Sequence, residues 1–200
     1  MSLTGRAHRT LIYDRRVRRL SELLSEIIPR SCNLLDVGSG DGKLAWSLLK
    51  RRSDLRIQGA DVLMREQTWI PVKSFDGTTL PYTESAFDVV MLIDVLHHTS
   101  HHEILLREAL RVTRRWLIVK DHALKGFAAG LRLRMMDHAG NSDHGVALPY
   151  NYMSEKQWQD TEKILSVKLV TKIDNLRLYQ WPLDFIFGAG LHFIALYEKG

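Results

Sequence analysis

The sequence predicts an α/β fold: a doubly wound, seven-stranded, mostly parallel sheet with an antiparallel C-terminal strand, in three αβα layers. Three observations lead there. Between residues 33 and 120, short apolar runs alternate with segments of helical periodicity, the pattern of parallel strands joined by crossover helices. A glycine-rich turn, Gly38-Ser39-Gly40-Asp41-Gly42, leaves the first of these runs. The chain has 200 residues, 45% of them hydrophobic, enough for one α/β domain with its own core.

Taken in order, residues 11–28 place Val17, Leu20, Leu24 and Ile27 on one helical face, with Tyr13 and Leu23 beside it, and Pro29 stops the helix. This basic amphipathic segment, residues 1–30, is expected to pack on the edge of a single domain spanning 1–200. Residues 33–38 read as the central strand and 43–51 as a helix with Leu44, Leu48 and Leu49 on its buried side. Residues 55–60 read as a strand with Asp61 at its end, 62–70 as a short helix at most, and 72–75 as a strand ending at Asp76-Gly77. Residues 87–93 are the clearest buried strand, followed by a helix at 102–112 and a strand at 116–120.

After Asp121 the pattern changes. Residues 123–137 read as a helix, 138–153 as a long loop and 154–165 as another helix. Residues 167–173 and 191–198 read as a hairpin at the sheet edge. The organisation expected is a cofactor-binding half at 33–120 and an acceptor-binding half at 121–200, with a lid-like loop at 135–153. Trp158 and Trp181 are candidate walls of the acceptor pocket. The apolar run 181–187 would either flank an apolar acceptor or form a core hairpin.

Composition excludes several chemistries. With Cys32 the only cysteine, no intramolecular disulfide, zinc ribbon or iron–sulfur cluster is possible, and a cytoplasmic location is expected. No secretory signal is read, and Pro182, Asp184, Gly188, Gly190 and His192 interrupt the longest apolar stretch, so no transmembrane segment is expected. Arg6, Arg9, Arg15, Arg16, Arg18, Arg19 and Arg30 outnumber Asp14, Glu22 and Glu26 in residues 1–30 and supply most of the net charge of +5. They read first as a solvated helix face, and otherwise as a contact for an anionic surface or nucleic acid.

The glycine turn carries the chemistry. Dinucleotide sites use G-x-G-x-x-G, whereas here the third glycine comes one residue early and Asp36 precedes the first by two. A pyrophosphate at a helix N-terminus disfavours a nearby carboxylate, while a ligand bearing an ammonium and a sulfonium tolerates one. Asp36 therefore favours S-adenosylmethionine over NAD. The run Asp36-Val37-Gly38-Ser39-Gly40-Asp41-Gly42 resembles the first motif of class I S-adenosylmethionine-dependent methyltransferases, E/D-x-G-x-G-x-G. Asp61, Asp76-Gly77, Leu80-Pro81, the Phe87-Asp88-Val89-Val90 run and Asp94-Val95-Leu96-His97-His98 follow in the family's order. The domain is most similar to the type 11 methyltransferases. The resemblance implies a Rossmann-like fold and a cofactor site of Asp36, Val37, Gly38, Ser39, Gly40, Gly42, Asp61, Val62, Asp76, Gly77, Asp94 and Val95. In it Asp61 would hold the ribose hydroxyls and Asp76 the adenine edge.

The reaction implied is in-line methyl transfer from S-adenosyl-L-methionine, giving S-adenosyl-L-homocysteine. Candidates for orienting or deprotonating the acceptor are His98 and His97, after the fourth strand, and Asp121 and His122, after the fifth. His97/His101 and His98/His102 have i,i+4 spacing, but no carboxylate motif supports them, and no metal is expected. Cys32 lies on the wrong side of the sheet for cytosine methylation, and 149–152 stands in the wrong place for a nucleobase motif. A small-molecule or lipid-like acceptor is expected, and nucleic acid is not. The alternatives are an RNA or protein methyltransferase using the basic helix, or a non-catalytic binding module.

Overall fold

The computed structural model describes the backbone at residues 3–99, 101–126, 128–141, 150–188 and 190–200, and side chains at 12–99, 101–126, 128–136, 150–188 and 190–200. Helix α1 (Leu3–Ile27) leads into β1 (Asn33–Val37), α2 (Lys43–Arg51), β2 (Arg56–Asp61), β3 (Val72–Ser74) and β4 (Phe87–Ile93). A 3₁₀ turn (Leu96–His98) and α3 (His102–Val112) precede β5 (Thr113–Leu124). Then come α4 (Ala129–Asn141), β6 (Met153–Ser154), α5 (Glu155–Ile164), β7 (Val167–Ile173), a π-helical turn (Asp184–Gly188) and β8 (His192–Lys199).

The main sheet runs β3-β2-β1-β4-β5-β8-β7, with β6 paired to β5. Pairings from β3 through β5 are parallel, and β8 is antiparallel to both β5 and β7. Strand order reverses beside β1, which has β2 on one side and β4 on the other, so the crevice beyond its C-terminal end is the natural ligand position.

Alternate residues of the buried strands face opposite helix layers. Leu35, Val37, Val90, Leu92, Leu117 and Val119 pack with α3 and α5 through Leu105, Leu106, Ala109 and Trp158. Leu34, Val89, Met91 and Ile118 pack with α1 and α2 through Leu20, Leu23, Leu24, Ala45 and Leu48. Each fully buried leucine contributes about 1.5–3 kcal/mol. Helix α5 starts on a capping box in which Ser154 and Gln157 satisfy each other's backbone N–H.

The structure corrects several expectations. The N-terminal helix starts at Leu3, and no helix occurs in 62–70. Strand β5 continues through Asp121 and His122 to Leu124, where the sequence suggested a strand ending at 120 and a helix from 123. Its extension is held by β8, with Asp121 opposite Phe193 and His122 opposite His192, and by β6, with Ala123 opposite Met153. The two-residue β6 raises the strand count to eight. The lid-like loop at 135–153 shortens, because α4 runs to Asn141; residues 142–149 lie outside the described residues. The run 181–187 is no core hairpin: Trp181 and Phe185 are 85% and 75% exposed, and β8 starts only at His192.

The basic helix is also differently used. Among its described side chains, Arg15 donates to the Tyr179 carbonyl, Arg19 to the Leu176 carbonyl and Glu22, and Arg16 to Asp94. These three arginines grip the domain and do not form an open cationic face. Among the described residues no helix is long and apolar enough to cross a membrane.

Candidate active site

At the end of β1 the chain turns on Gly38, Gly40 and Gly42, all with positive φ. Gly38 N–H and Ser39 N–H both donate to the Ala60 carbonyl, at 2.7 and 3.3 Å, tying the bend to β2. Gly38, at φ +74°, has no room for a side chain, since a Cβ there would overlap Val95 Cγ2. Gly40, at φ +59°, faces open space, with no atom within 4 Å of where a Cβ would stand. The bend is thus packed on one side and bare on the other, which lets a ligand reach the main chain.

Asp61, the last residue of β2, points at this bend. Its Oδ2 accepts Gly40 N–H at 2.7 Å and its Oδ1 accepts Leu63 N–H at 2.8 Å. Asp36, under the bend, is 3% exposed. Burial and the neighbouring Asp61 push its carboxyl up to about 8. The buried Ser39 Oγ has no hydrogen-bond partner among the described residues.

Val62 and Gly77 meet at the far side of the crevice, where a Cβ at Gly77 would lie 3.4 Å from Val62 Cγ1. Asp76 is exposed, and one of its carboxylate oxygens is spent on its own turn, accepting Thr78 N–H, Thr78 Oγ1–H and Thr79 N–H. Helix α1 crosses the opposite rim, with Asp14 pairing to Lys43 at 2.6 Å and Arg16 reaching Asp94.

Beyond β4 and β5 lies a dense buried polar cluster. Asp94 bonds to both Arg16 and Lys120, and Lys120 is 0% exposed. Burial alone would raise the Asp94 carboxyl, but Arg16 and Lys120 overrule it and hold the group well below the usual carboxylate range. Lys120 Nζ also lies 3.2 Å from His192 Nδ1, while His192 Nε2 is 2.9 Å from the Phe187 carbonyl. That carbonyl can only accept, so the His192 proton sits on Nε2 and Nδ1 receives the Lys120 ammonium.

Next to this group, His97 Nδ1 is 2.6 Å and His122 Nδ1 3.1 Å from Asp121 Oδ1. Asp121 Oδ2 accepts Leu96 N–H at 3.0 Å. Burial pushes His122 down to about 4, with Lys120 and His97 adding to it. His98 is only half-buried, its ring centroid 4.0 Å from that of His97. The fold therefore brings His97, Asp121 and His122 together and leaves His98 half-buried beside His97.

One expectation changes here, that of Trp158. It is no pocket wall: it lies in the core and donates Nε1–H to the His122 carbonyl at 3.0 Å. Asp94 is engaged by two cations. His101 is exposed at the start of α3, and neither metal-type cluster of the described residues contains it. Sequence reasoning missed Arg16, Lys120, His192 and Tyr152, whose ring stacks on His97 at 5.7 Å. Lys120, a cation inside an otherwise apolar strand, was the one available signal.

Residues 35–116 match the family model described as a methyltransferase domain. The 27-O-demethylrifamycin SV methyltransferase of Amycolatopsis mediterranei is 26% identical over a stretch covering 48% of this chain and 40% of that protein. The chain thus spans less than half the length of that relative. A solved S-adenosylmethionine-dependent methyltransferase from Aquifex aeolicus superposes with a TM-score of 0.62 at 16% identity, covering 90% of this chain and 88% of the other. The [4+2]-cyclase SpnF superposes with a TM-score of 0.63 at 17% identity, covering 91% and 81%. Residues 35–116 thus match a methyltransferase domain, and they carry the glycine bend at the strand-order reversal with Asp61 closing on it, in a fold shared with S-adenosylmethionine-dependent methyltransferases.

Proposed function

We propose that this protein transfers a methyl group from S-adenosylmethionine to a small-molecule or lipid-like acceptor by in-line displacement. The observation that carries the proposal is the union of Gly40 and Asp61 at the end of β1. One carboxylate there braces the bare face of the bend and keeps lone pairs for the ribose hydroxyls. The residues present fit the cofactor. The unpartnered Ser39 Oγ and the high-pKa Asp36 carboxyl are suited to an ammonium group, and Val62 and Gly77 form an apolar edge for a flat base.

When bound, the cofactor supplies an electrophilic methyl on a good leaving group. The protein's task is then to align the acceptor and exclude water. The 3₁₀ turn carrying His97 and His98 and the end of β5 carrying Asp121 and His122 border the place for the acceptor. His98, half-buried beside His97, is positioned to take a proton from a hydroxyl or amine. The relative whose name specifies an O-demethylated acceptor supports a hydroxyl as the methylated group. The inward grip of Arg15, Arg16 and Arg19 counts against the basic helix as an RNA or protein contact. Salt-dependent RNA binding would reverse that judgement.

The direct test is a screen of hydroxylated and amino small molecules, and of lipids, for S-adenosylhomocysteine release. That assay also separates this reading from a non-methylating protein of the same fold, since fold alone does not determine chemistry. His98→Ala is expected to slow turnover about 100-fold while leaving cofactor affinity unchanged. Turnover equal to that of the unaltered protein would reduce His98 to a packing residue.

A further inference from the structure

We infer that His97, Asp121 and His122 bind one divalent transition-metal ion, zinc or a close analogue, whose open side takes an oxygen of the methyl acceptor. The ion site stands on geometry alone; the acceptor's place rests on the function proposed above.

The three candidate ligand atoms form a small triangle. His97 Nδ1, Asp121 Oδ1 and His122 Nδ1 are separated by 2.6, 3.1 and 3.3 Å. Such a triangle has a circumradius of about 1.75 Å, so an ion about 1 Å off its plane would sit about 2.0 Å from each atom, the usual zinc bond to imidazole nitrogen and carboxylate oxygen. Two imidazoles and one carboxylate are a donor set for zinc, iron or cobalt.

The surroundings match those of a ligand set. Asp121 is oriented through its other oxygen by Leu96 N–H. His122 Nε2 is buried with no hydrogen-bond partner among the described residues and lies 3.7 Å from Asp94 Oδ1. Binding at Nδ1 would fix the proton on Nε2, facing that carboxylate, the usual outer partner of a ligating histidine.

The neighbouring cluster sharpens the contrast. Asp94, His122 and His192 also converge, but the Lys120 ammonium already bonds to both Asp94 and His192. Asp121 has no such cation: its recorded partners are the His97 and His122 rings and two backbone N–H groups. The sequence offered His97 with His101 and no carboxylate; the fold supplies Asp121 and His122 instead.

A dication on one carboxylate leaves the site one positive charge in excess, which favours an acceptor oxygen that ionises readily, such as a phenol or enol. In the transfer, the acceptor O–H gives its proton to His98. The oxygen bonds to the methyl carbon as that carbon's bond to sulfur breaks, leaving a methyl ether and S-adenosylhomocysteine.

The test uses the full chain without an affinity tag, stripped with chelator and titrated with Co²⁺. One equivalent should bind, with the visible absorption of a four- or five-coordinate site, and Zn²⁺ should displace it. Asp121→Asn and His122→Ala should each lose that absorption, while His101→Ala keeps it. No absorption in the unaltered protein, or absorption that survives both substitutions, would overturn the site. Cofactor affinity measured in parallel keeps the two readings apart. Intact S-adenosylmethionine binding without Co²⁺ binding overturns the ion site alone, and Co²⁺ binding without cofactor binding overturns the proposed function alone.

Discussion

The two halves of the sheet manage buried polarity by opposite means. Around the end of β1 the polar contacts are few and run mostly to the backbone: Gly38 and Ser39 N–H to the Ala60 carbonyl, Gly40 N–H to Asp61. Its buried acids, Asp36 and Asp61, face each other across a bend, and the pair raises the pKa of Asp36. Around the end of β5 the contacts run between side chains, through Arg16, Asp94, Lys120, His97, Asp121, His122 and His192. Here cations and anions are already matched, apart from Asp121. A half built from backbone and unbalanced acids is poised for a cationic ligand. A half whose charges are mutually satisfied is a rigid platform.

The largest effect is expected in the platform. Lys120→Met leaves a buried Asp94 with Arg16 alone, and should cost about 3 kcal/mol of stability in urea denaturation. A cost below about 1 kcal/mol would mean that the cluster is solvated and not a platform. In the bend, Gly38→Ala combines a left-handed backbone with a clash on Val95. It should cost about 1–3 kcal/mol of stability and at least tenfold in cofactor affinity. Gly40→Ala shares the left-handed strain, at φ +59°, but has free space around it, so it should lose less stability than Gly38→Ala, about 1 kcal/mol, with the main loss in affinity. Equal stability losses for the two would erase the distinction between the packed and the bare side of the bend.

A smaller effect concerns protons. The folded, ligand-free Asp36 has a pKa raised to about 8, above its ordinary value, so it is mostly protonated at pH 6. The stability this contributes is fully present below the ordinary carboxylate range and fades as pH climbs through about 8. A cofactor ammonium favours the carboxylate, so binding should release a proton, and affinity should rise between pH 6 and 8 by at most about tenfold per unit. Calorimetry in buffers of different ionisation enthalpy reads the proton directly. An affinity flat with pH, or a proton taken up, would contradict the pairing of Asp36 with the ammonium.

The contrast between the halves also explains what could be read from the chain. A tight bend needs particular residues at adjacent positions, so Asp36 through Gly42 announced itself, and Asp61 followed from the end of the next strand. Parallel strands buried on both faces, such as 87–93, are uninterrupted apolar runs. The platform is different because its members come from residues 16, 94, 97, 120–122 and 192, and no local pattern links them. Arg16 meets Asp94 only because α1 packs on α2, and that packing reads as an ordinary apolar stripe. The sequence ends β5 at Lys120 because Asp121 and His122 look like the start of a polar loop. They are strand residues whose charges are neutralised by distant partners. His98 drew attention equally with His97, although only the fold buries His97 and leaves His98 half-buried.

The central claim is that the bend and Asp61 together hold S-adenosylmethionine. Calorimetric titration of the unaltered protein and of Asp61→Ala with S-adenosylhomocysteine tests it most directly. Loss of the charge-assisted ribose bonds should weaken binding by about 1–3 kcal/mol, roughly 5- to 150-fold. Affinity unchanged by the substitution, or no binding to either protein, would contradict the account.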